Sequence, residues 1–212
     1  MAHFPEFIDL TGRRCMIFGG GKIARRKIGI LLRYEAHVEV VAREVLPEIR
    51  EMVPGERIHL LDLEPLIRDD RLDRWIGESD LVIAATSDRE TNLQISSWCN
   101  ARHILVNVID APEECSFLFP SVVKKGEISI GINSDGKSPI VSKKVRQVIQ
   151  EAVPDYYGDI SRQLGKLKEW LKAECPEEIR RRAILTEVAA EAFSLERPLT
   201  KEELDKICSR LF

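Results

Sequence analysis

The apolar positions of this chain change period along its length. Over the first half, short and almost wholly apolar runs alternate with segments whose apolar residues recur every three or four positions. Cys15–Phe18, His37–Ala42, Arg57–Leu61, Asp80–Ala85 and Ile104–Ile109 read as strands. Between them Ile23–Tyr34, Val45–Met52, Glu64–Trp75 and Glu90–Ala101 read as helices, the first with an apolar face from Ile23, Ile28, Leu31 and Leu32. Strands this apolar are covered on both faces, so the pattern predicts a parallel sheet between two layers of helices. Near Pro112 the pattern shifts: Ser116–Val123 and Glu127–Ile132 read as two strands joined by Lys124-Lys125-Gly126, a hairpin signal. Ser138 can cap, and Pro139 open, a helix running to Ala152. From Pro154 the pattern is helical only, with breaks near Pro176 and Pro198 and a capping-box sequence from Thr200 to Glu203.

The first strand runs into Gly19-Gly20-Gly21-Lys22-Ile23-Ala24, where Gly19, Gly21 and Ala24 have the G-x-G-x-x-(G/A) spacing of a dinucleotide-binding turn. The first glycine permits a tight turn, the second a close approach of backbone to pyrophosphate, and Ala24 a close helix–strand contact. The helix N-terminus would face the phosphates with Lys22 and Ile23 beside them. Read alone, the run is equally a tight strand–helix connection. The expected fold class is therefore α/β, a Rossmann-type doubly wound parallel sheet followed by a small β-hairpin region and a helical C-terminal domain. The expected boundaries are 1–112, 113–152 and 153–212.

Two further segments belong at the carboxyl ends of the predicted strands, where doubly wound sheets bind ligands. Thr86, after Ala84-Ala85, can hydrogen-bond a cofactor, or the loop is an ordinary helix entry capped by Ser87 or Asp88. Asp110, after the last parallel strand, can accept a proton from a substrate or simply cap the turn before Pro112. Ser134 can touch substrate or only shape its turn. After the second strand, Arg43 suits NADP and Glu44 suits NAD.

A formal charge of −3 gives no general attraction to nucleic acid or anionic membrane. Within that acidic chain, Lys124, Lys125, Lys137, Lys143, Lys144 and Arg146 form a local basic cluster, either a solvated face or a partner for a polyanionic small molecule. No apolar run approaches the ~20 residues that span a bilayer, and the first residues lack the pattern of a secretory signal. The five cysteines and four histidines show neither a disulfide framework nor metal-ligand spacing, so no metal site and a cytoplasmic location are expected. Cys15 and Cys99 read as core thiols, Cys115 as a thiol near the site, and His37, His59 and His103 as strand openers.

Together these segments resemble the siroheme synthase dehydrogenase family. The resemblance rests on Phe4-Pro5-Glu6-Phe7-Ile8-Asp9-Leu10, the glycine turn with Arg26-Lys27, Ala84-Ala85-Thr86 with Asn92, Asn107-Val108-Ile109-Asp110-Ala111-Pro112, Ser116-Phe117, Pro120-Ser121 and Asn133 to Pro139. It covers roughly the first 150 residues. It implies NAD-dependent oxidation of precorrin-2 to sirohydrochlorin, with insertion of Fe²⁺ in the same cleft in some members. Asp110 takes the family's proton-accepting position, and Ser134 a position beside the tetrapyrrole, with Lys124 and Lys137 toward its carboxylates. The hairpin region becomes a homodimerisation region. Asp135, where the family commonly has no acid, departs from the pattern. Some members carry a methyltransferase domain that this sequence lacks, so it is not expected to make precorrin-2. A non-catalytic NAD(H) sensor with the same fold is the competing expectation.

Overall fold

The computed structural model describes residues 3–60 and 70–211. They form two compact units, one up to Phe119 and one from Pro120.

The first unit alternates β1 (Arg14–Phe18), α1 (Lys22–Leu32), β2 (His37–Ala42), α2 (Pro47–Met52), β3 (Ile58–Leu60), α3 (Asp70–Gly77), β4 (Leu81–Ala84), α4 (Arg89–Ala101) and β5 (Leu105–Val108). The strands pair in the order β3-β2-β1-β4-β5, every pair parallel. Alternation along each strand sorts the apolar side chains onto two faces. Cys15, Ile17, Val38, Val40 and Ile83 pack with Ala24, Ile28 and Leu31 of α1 and with Ile49 of α2. Met16, Phe18, Val82, Ala84, Val106 and Val108 pack on the opposite face with Ile76 of α3 and Ile95 and Cys99 of α4. The expected doubly wound sheet is observed. Leu61 of the third expected strand, and residues 64–69 of the expected helix after it, lie outside the described residues.

At the amino edge of the sheet, Arg14 donates to both Glu39 carboxylate oxygens (2.8 and 3.1 Å) and to Glu78 (2.8 Å). His59 Nε2 lies 3.2 Å from Glu39, and its ring stacks on Trp75 at 4.8 Å. His59 is thus a mid-strand residue that completes a polar network. His103 occupies a left-handed turn (φ +56°) ahead of β5, so His37 alone of the three opens its strand.

In the second unit, β6 (Ser121–Lys125) and β7 (Ile128–Ile132) form an antiparallel hairpin, followed by α5 (Pro139–Ala152), α6 (Tyr156–Glu174), α7 (Glu178–Ser194) and α8 (Lys201–Leu211). The hairpin differs from the expectation. Residues 116–120 are not strand, and Lys124 and Lys125 pair with Ser129 and Ile128 instead of forming the turn. The apolar Phe117 and Phe119 are half-buried against the α1 side of the first unit's core, which satisfies them without a strand. Gly126 turns the hairpin at φ +56°. Ser138 caps α5 by accepting from the Val141 amide (3.3 Å) with Pro139 next to it. Ile160, Leu167, Leu171, Ile184, Val188 and Ile207 form a core between α6, α7 and α8. The capping box is present: Thr200 N donates to Glu203 (2.7 Å) and Glu203 N to Thr200 Oγ1 (3.3 Å).

Candidate active site

Strand order reverses at β1, because β2 lies on one side of it and β4 on the other. At this switch point a doubly wound sheet leaves a crevice at its carboxyl edge. Four loop segments meet there through backbone bonds. Gly19 N donates to Val41 O (2.8 Å), Ala85 N to Phe18 O (2.7 Å), Leu46 N to Gly20 O (3.0 Å) and Ile109 N to Ala84 O (3.0 Å).

Gly19 has φ +120°, and a Cβ there would clash with the Ala85 carbonyl. Gly20, the unassigned middle position of the motif, is as tightly constrained: a Cβ would run into the Glu44 carbonyl and Val45. Gly21 meets nothing within 4 Å. It is the N-cap of α1, with no side-chain cap and no acidic residue in the first turn. Open space above Gly21, and amides that no side chain caps, fit the pyrophosphate of a dinucleotide. Lys22 and Ile23 are exposed beside this space, and Ala24 is fully buried against the sheet as expected. Arg43 and Glu44 are both exposed just after β2.

Thr86 is more committed than the motif suggests. Its hydroxyl lies 2.7 Å from Asn92 Oδ1 and 2.9 Å from Asp88 O, while its amide donates to Asn92 Oδ1 (3.1 Å). Asp88 is the N-cap of α4, accepting from Thr91 N at 2.7 Å. Hydrogen bonds from Thr91, and to a lesser degree the charge of Arg43, hold the Asp88 carboxyl below its usual range. The loop is therefore a capped helix entry whose Thr86 hydroxyl already has internal partners.

Asp110 stands exposed at the end of β5 with φ +54°, a left-handed conformation that favours Gly, Asn and Asp. Its carboxylate has no hydrogen bond or ion pair among the described residues, and the short 3₁₀ turn that follows is entered by Ala111 without a side-chain cap. The capping role left open from sequence is not what the carboxylate does. Cys115 is half-buried with its Sγ 3.1 Å from Val108 N and 3.3 Å from Ala111 O, and burial raises its pKa. It ties the Asp110 loop and is a poor nucleophile.

Beneath this loop lies a polar pair, Lys27 and Asn107, to which residue spacing alone gives no role. Lys27, only 6% exposed, donates from Nζ to Asn107 Oδ1 at 2.6 Å and lies 4.2 Å from the centroid of the Phe119 ring. Burial, with repulsion from Arg26, lowers its pKa to about 8. Asn107 in turn donates to Phe117 O (3.1 Å). One signal was available: Ala24, Lys27, Ile28 and Leu31 share the inward stripe of α1, and a lysine on that stripe needs a buried partner.

Ser134, Lys124 and Lys137 belong to the second unit. The Ser134 hydroxyl donates to Ser138 O (3.0 Å) and accepts from Ser142 Oγ (2.9 Å), so it pins the start of α5. Asp135 and Lys137 are exposed in the same turn, and Lys124 is half-buried on β6. Among the described residues no helix is long and apolar enough to cross a membrane.

Comparison with known proteins agrees with this geometry. A family model described as "Putative NAD(P)-binding" matches residues 7–121. The siroheme synthase of Psychrobacter sp. (strain PRwf-1) is 34% identical over 176 residues, covering 83% of this chain and 35% of that protein. Siroheme synthase 1 of Yersinia enterocolitica is 35% identical over 172 residues, 81% of this chain and 35% of that one. The chain thus spans about a third of the length of these relatives. A solved structure titled "SirC, precorrin-2 dehydrogenase" has the same fold, with a TM-score of 0.72, 22% identity and coverage of 99% of this chain and 98% of that one. With a family model matching across its glycine turn, its sheet and its Asp110 loop, the chain belongs to the family described as putative NAD(P)-binding.

Proposed function

We propose that this chain is an NAD-dependent precorrin-2 dehydrogenase, oxidising precorrin-2 to sirohydrochlorin in siroheme synthesis. The observation that carries the reading is one sheet edge bearing both an α1 N-terminus without a side-chain cap and the exposed carboxylate of Asp110, which has no hydrogen bond or ion pair among the described residues. The similarity to siroheme synthases supports the choice of substrate.

The oxidation removes one hydride and one proton from the macrocycle. Bound at the glycine turn, a nicotinamide dinucleotide would supply the hydride acceptor. Gly21 and the first amides of α1 hold the pyrophosphate, and Gly19 and Gly20 keep the neighbouring loops close enough to shape that cradle. Asp110 receives the proton at its carboxylate. Glu44 supports NAD over NADP, because an acid after β2 accepts from ribose hydroxyls and repels a 2′-phosphate.

Lys124 and Lys137 would attract the carboxylates of the tetrapyrrole, while Ser134 acts by holding the turn that presents Lys137. The reading includes a homodimer, supported by the exposed Ile140, Val141, Val145 and Val148 on α5. It also includes Fe²⁺ as a second substrate, for which Asp110 would take up ring protons. A cytoplasmic location is supported by five free cysteines.

The test is anaerobic. Purified protein is mixed with enzymatically generated precorrin-2 and NAD⁺, and the visible spectrum is followed before and after addition of Fe²⁺. NAD⁺-dependent appearance of sirohydrochlorin is the expected result. A protein that binds the nucleotide yet converts nothing with NAD⁺ or NADP⁺ would overturn the reading in favour of a sensor.

A further inference from the structure

Asp110 has no side-chain partner among the described residues, so its backbone alone sets where the carboxylate stands. That backbone belongs to a loop whose two ends lie side by side. Ser116 N donates to Val106 O (3.0 Å) and Val106 N to Ser116 Oγ (2.7 Å), while Cys115 Sγ spans Val108 N and Ala111 O (3.1 and 3.3 Å). Between these ties sits Asn107, whose carboxamide accepts from Lys27 on one side and donates to Phe117 O on the other (2.6 and 3.1 Å). A methionine at position 27 would fill much the same volume without bringing a charge into the core. The ammonium is therefore understandable by what it holds.

We propose that Lys27 is a positioning residue for the reaction: acting through Asn107, it locks the base of the Val108–Cys115 loop and thereby fixes the direction of the Asp110 carboxylate. The ammonium accounts for the Asn107 oxygen, which leaves Nδ2 free to clamp Phe117 and so the return segment of the loop. Phe119, over which Lys27 lies, fixes the same segment a second time. The inference rests on the reading of Asp110 as proton acceptor, and the experiment separates the two.

Lys27→Met, Asp110→Asn and the double variant are compared with the wild type for kcat, KM, NAD⁺ binding by calorimetry, and hydrogen exchange in the peptide covering 108–117. Lys27→Met is expected to lower kcat by between about 10- and 100-fold, the scale of a misplacement near 1 Å. Its NAD⁺ affinity should stay within about twofold, and exchange at 109–114 should rise. In the Asp110→Asn background the same substitution should change kcat by less than about twofold, because a base already removed cannot be misaimed. A full-strength effect in that background, or wild-type kcat in Lys27→Met, would overturn the proposal. Wild-type kcat in Asp110→Asn would instead overturn the proton-acceptor reading. If Lys27→Met does not fold, Asn107→Asp replaces it, keeping a partner for the ammonium while setting an oxygen against the Phe117 carbonyl. Loss of kcat with intact NAD⁺ binding supports the clamp, and unchanged kcat refutes it.

Discussion

Burial of Lys27 makes a quantitative claim about stability. In the folded chain its pKa falls from the ordinary 10.5 to about 8, chiefly through loss of hydration. A base with a depressed folded pKa carries its full cost below that pKa, where it must be charged in both states. The cost is relieved as pH rises through 8 toward 10.5, because the unfolded chain then binds more protons than the folded one. At about 1.4 kcal/mol per pH unit the full relief is roughly 3 kcal/mol. Linkage gives about 1.3 kcal/mol of it between pH 7 and 9 and about 2.5 kcal/mol between pH 7 and 10. The assay is urea unfolding of wild type and Lys27→Met, both in a Trp170→Phe background. Trp75 and Trp98, which pack on the first unit's core, then report that unit alone. Other titrations cancel in the difference. Wild type should gain on the variant steadily from pH 7 to 10. A difference that stays flat would refute the depressed pKa, and with it the view that the ammonium is held at a cost.

Other substitutions divide the site in different ways. Gly21→Ala meets open space, so stability should stay within about 0.5 kcal/mol while calorimetric NAD⁺ affinity falls at least about tenfold. Gly20→Ala, by contrast, collides with Glu44 and Val45 and should lower the melting temperature as well as affinity, at a cost of about 1–3 kcal/mol. Asp110→Gly should abolish turnover yet raise stability by about 1 kcal/mol, since it relieves a left-handed non-glycine residue. Asp110→Ala should lose turnover with no such gain, and turnover and denaturation measured on the same preparations check both. The Glu203 carboxyl is held at about 2 by Arg197 and the Thr200 amide. Its stabilising effect is full above its ordinary 4.5 and fades as pH falls through about 2, so the melting-temperature gap between wild type and Glu203→Gln should close over that range.

The layered sheet was legible because its signal is local and redundant. The four strands β1, β2, β4 and β5 repeat much the same apolar burial, and several helix starts carry a side-chain cap, as at Asp88, Ser138 and Thr200. Where apolar content alone was read, the reading slipped. Phe117 and Phe119 look like strand residues, but an apolar run specifies burial and not the surface that provides it. Polar pairings between distant segments were the least legible. Lys27 and Asn107 are 80 positions apart, and neither is unusual until the fold brings them together. Gly20 escaped notice for a related reason, since its constraint comes from the chain after β2, which no spacing rule in the turn itself describes. Thr86 and Ser134 were correctly found as polar residues in turns, yet their hydroxyls hold backbone and neighbouring side chains in place.

The cysteines have a practical consequence. Cys15, Cys99 and Cys175 are buried, and Cys115 and Cys208 are half-buried. Burial pushes the first two thiols up to about 12, and it raises those of Cys115 and Cys208. A surface cysteine near pKa 8.5 carries on the order of 10³ times more thiolate at neutral pH than Cys15 or Cys99. Cys15 and Cys99 are thus nearly blind to maleimides. One cysteine placed at Ile179, 85% exposed on α7, would take up a dye or spin label at a single address once the two half-buried thiols, Cys115 and Cys208, are replaced.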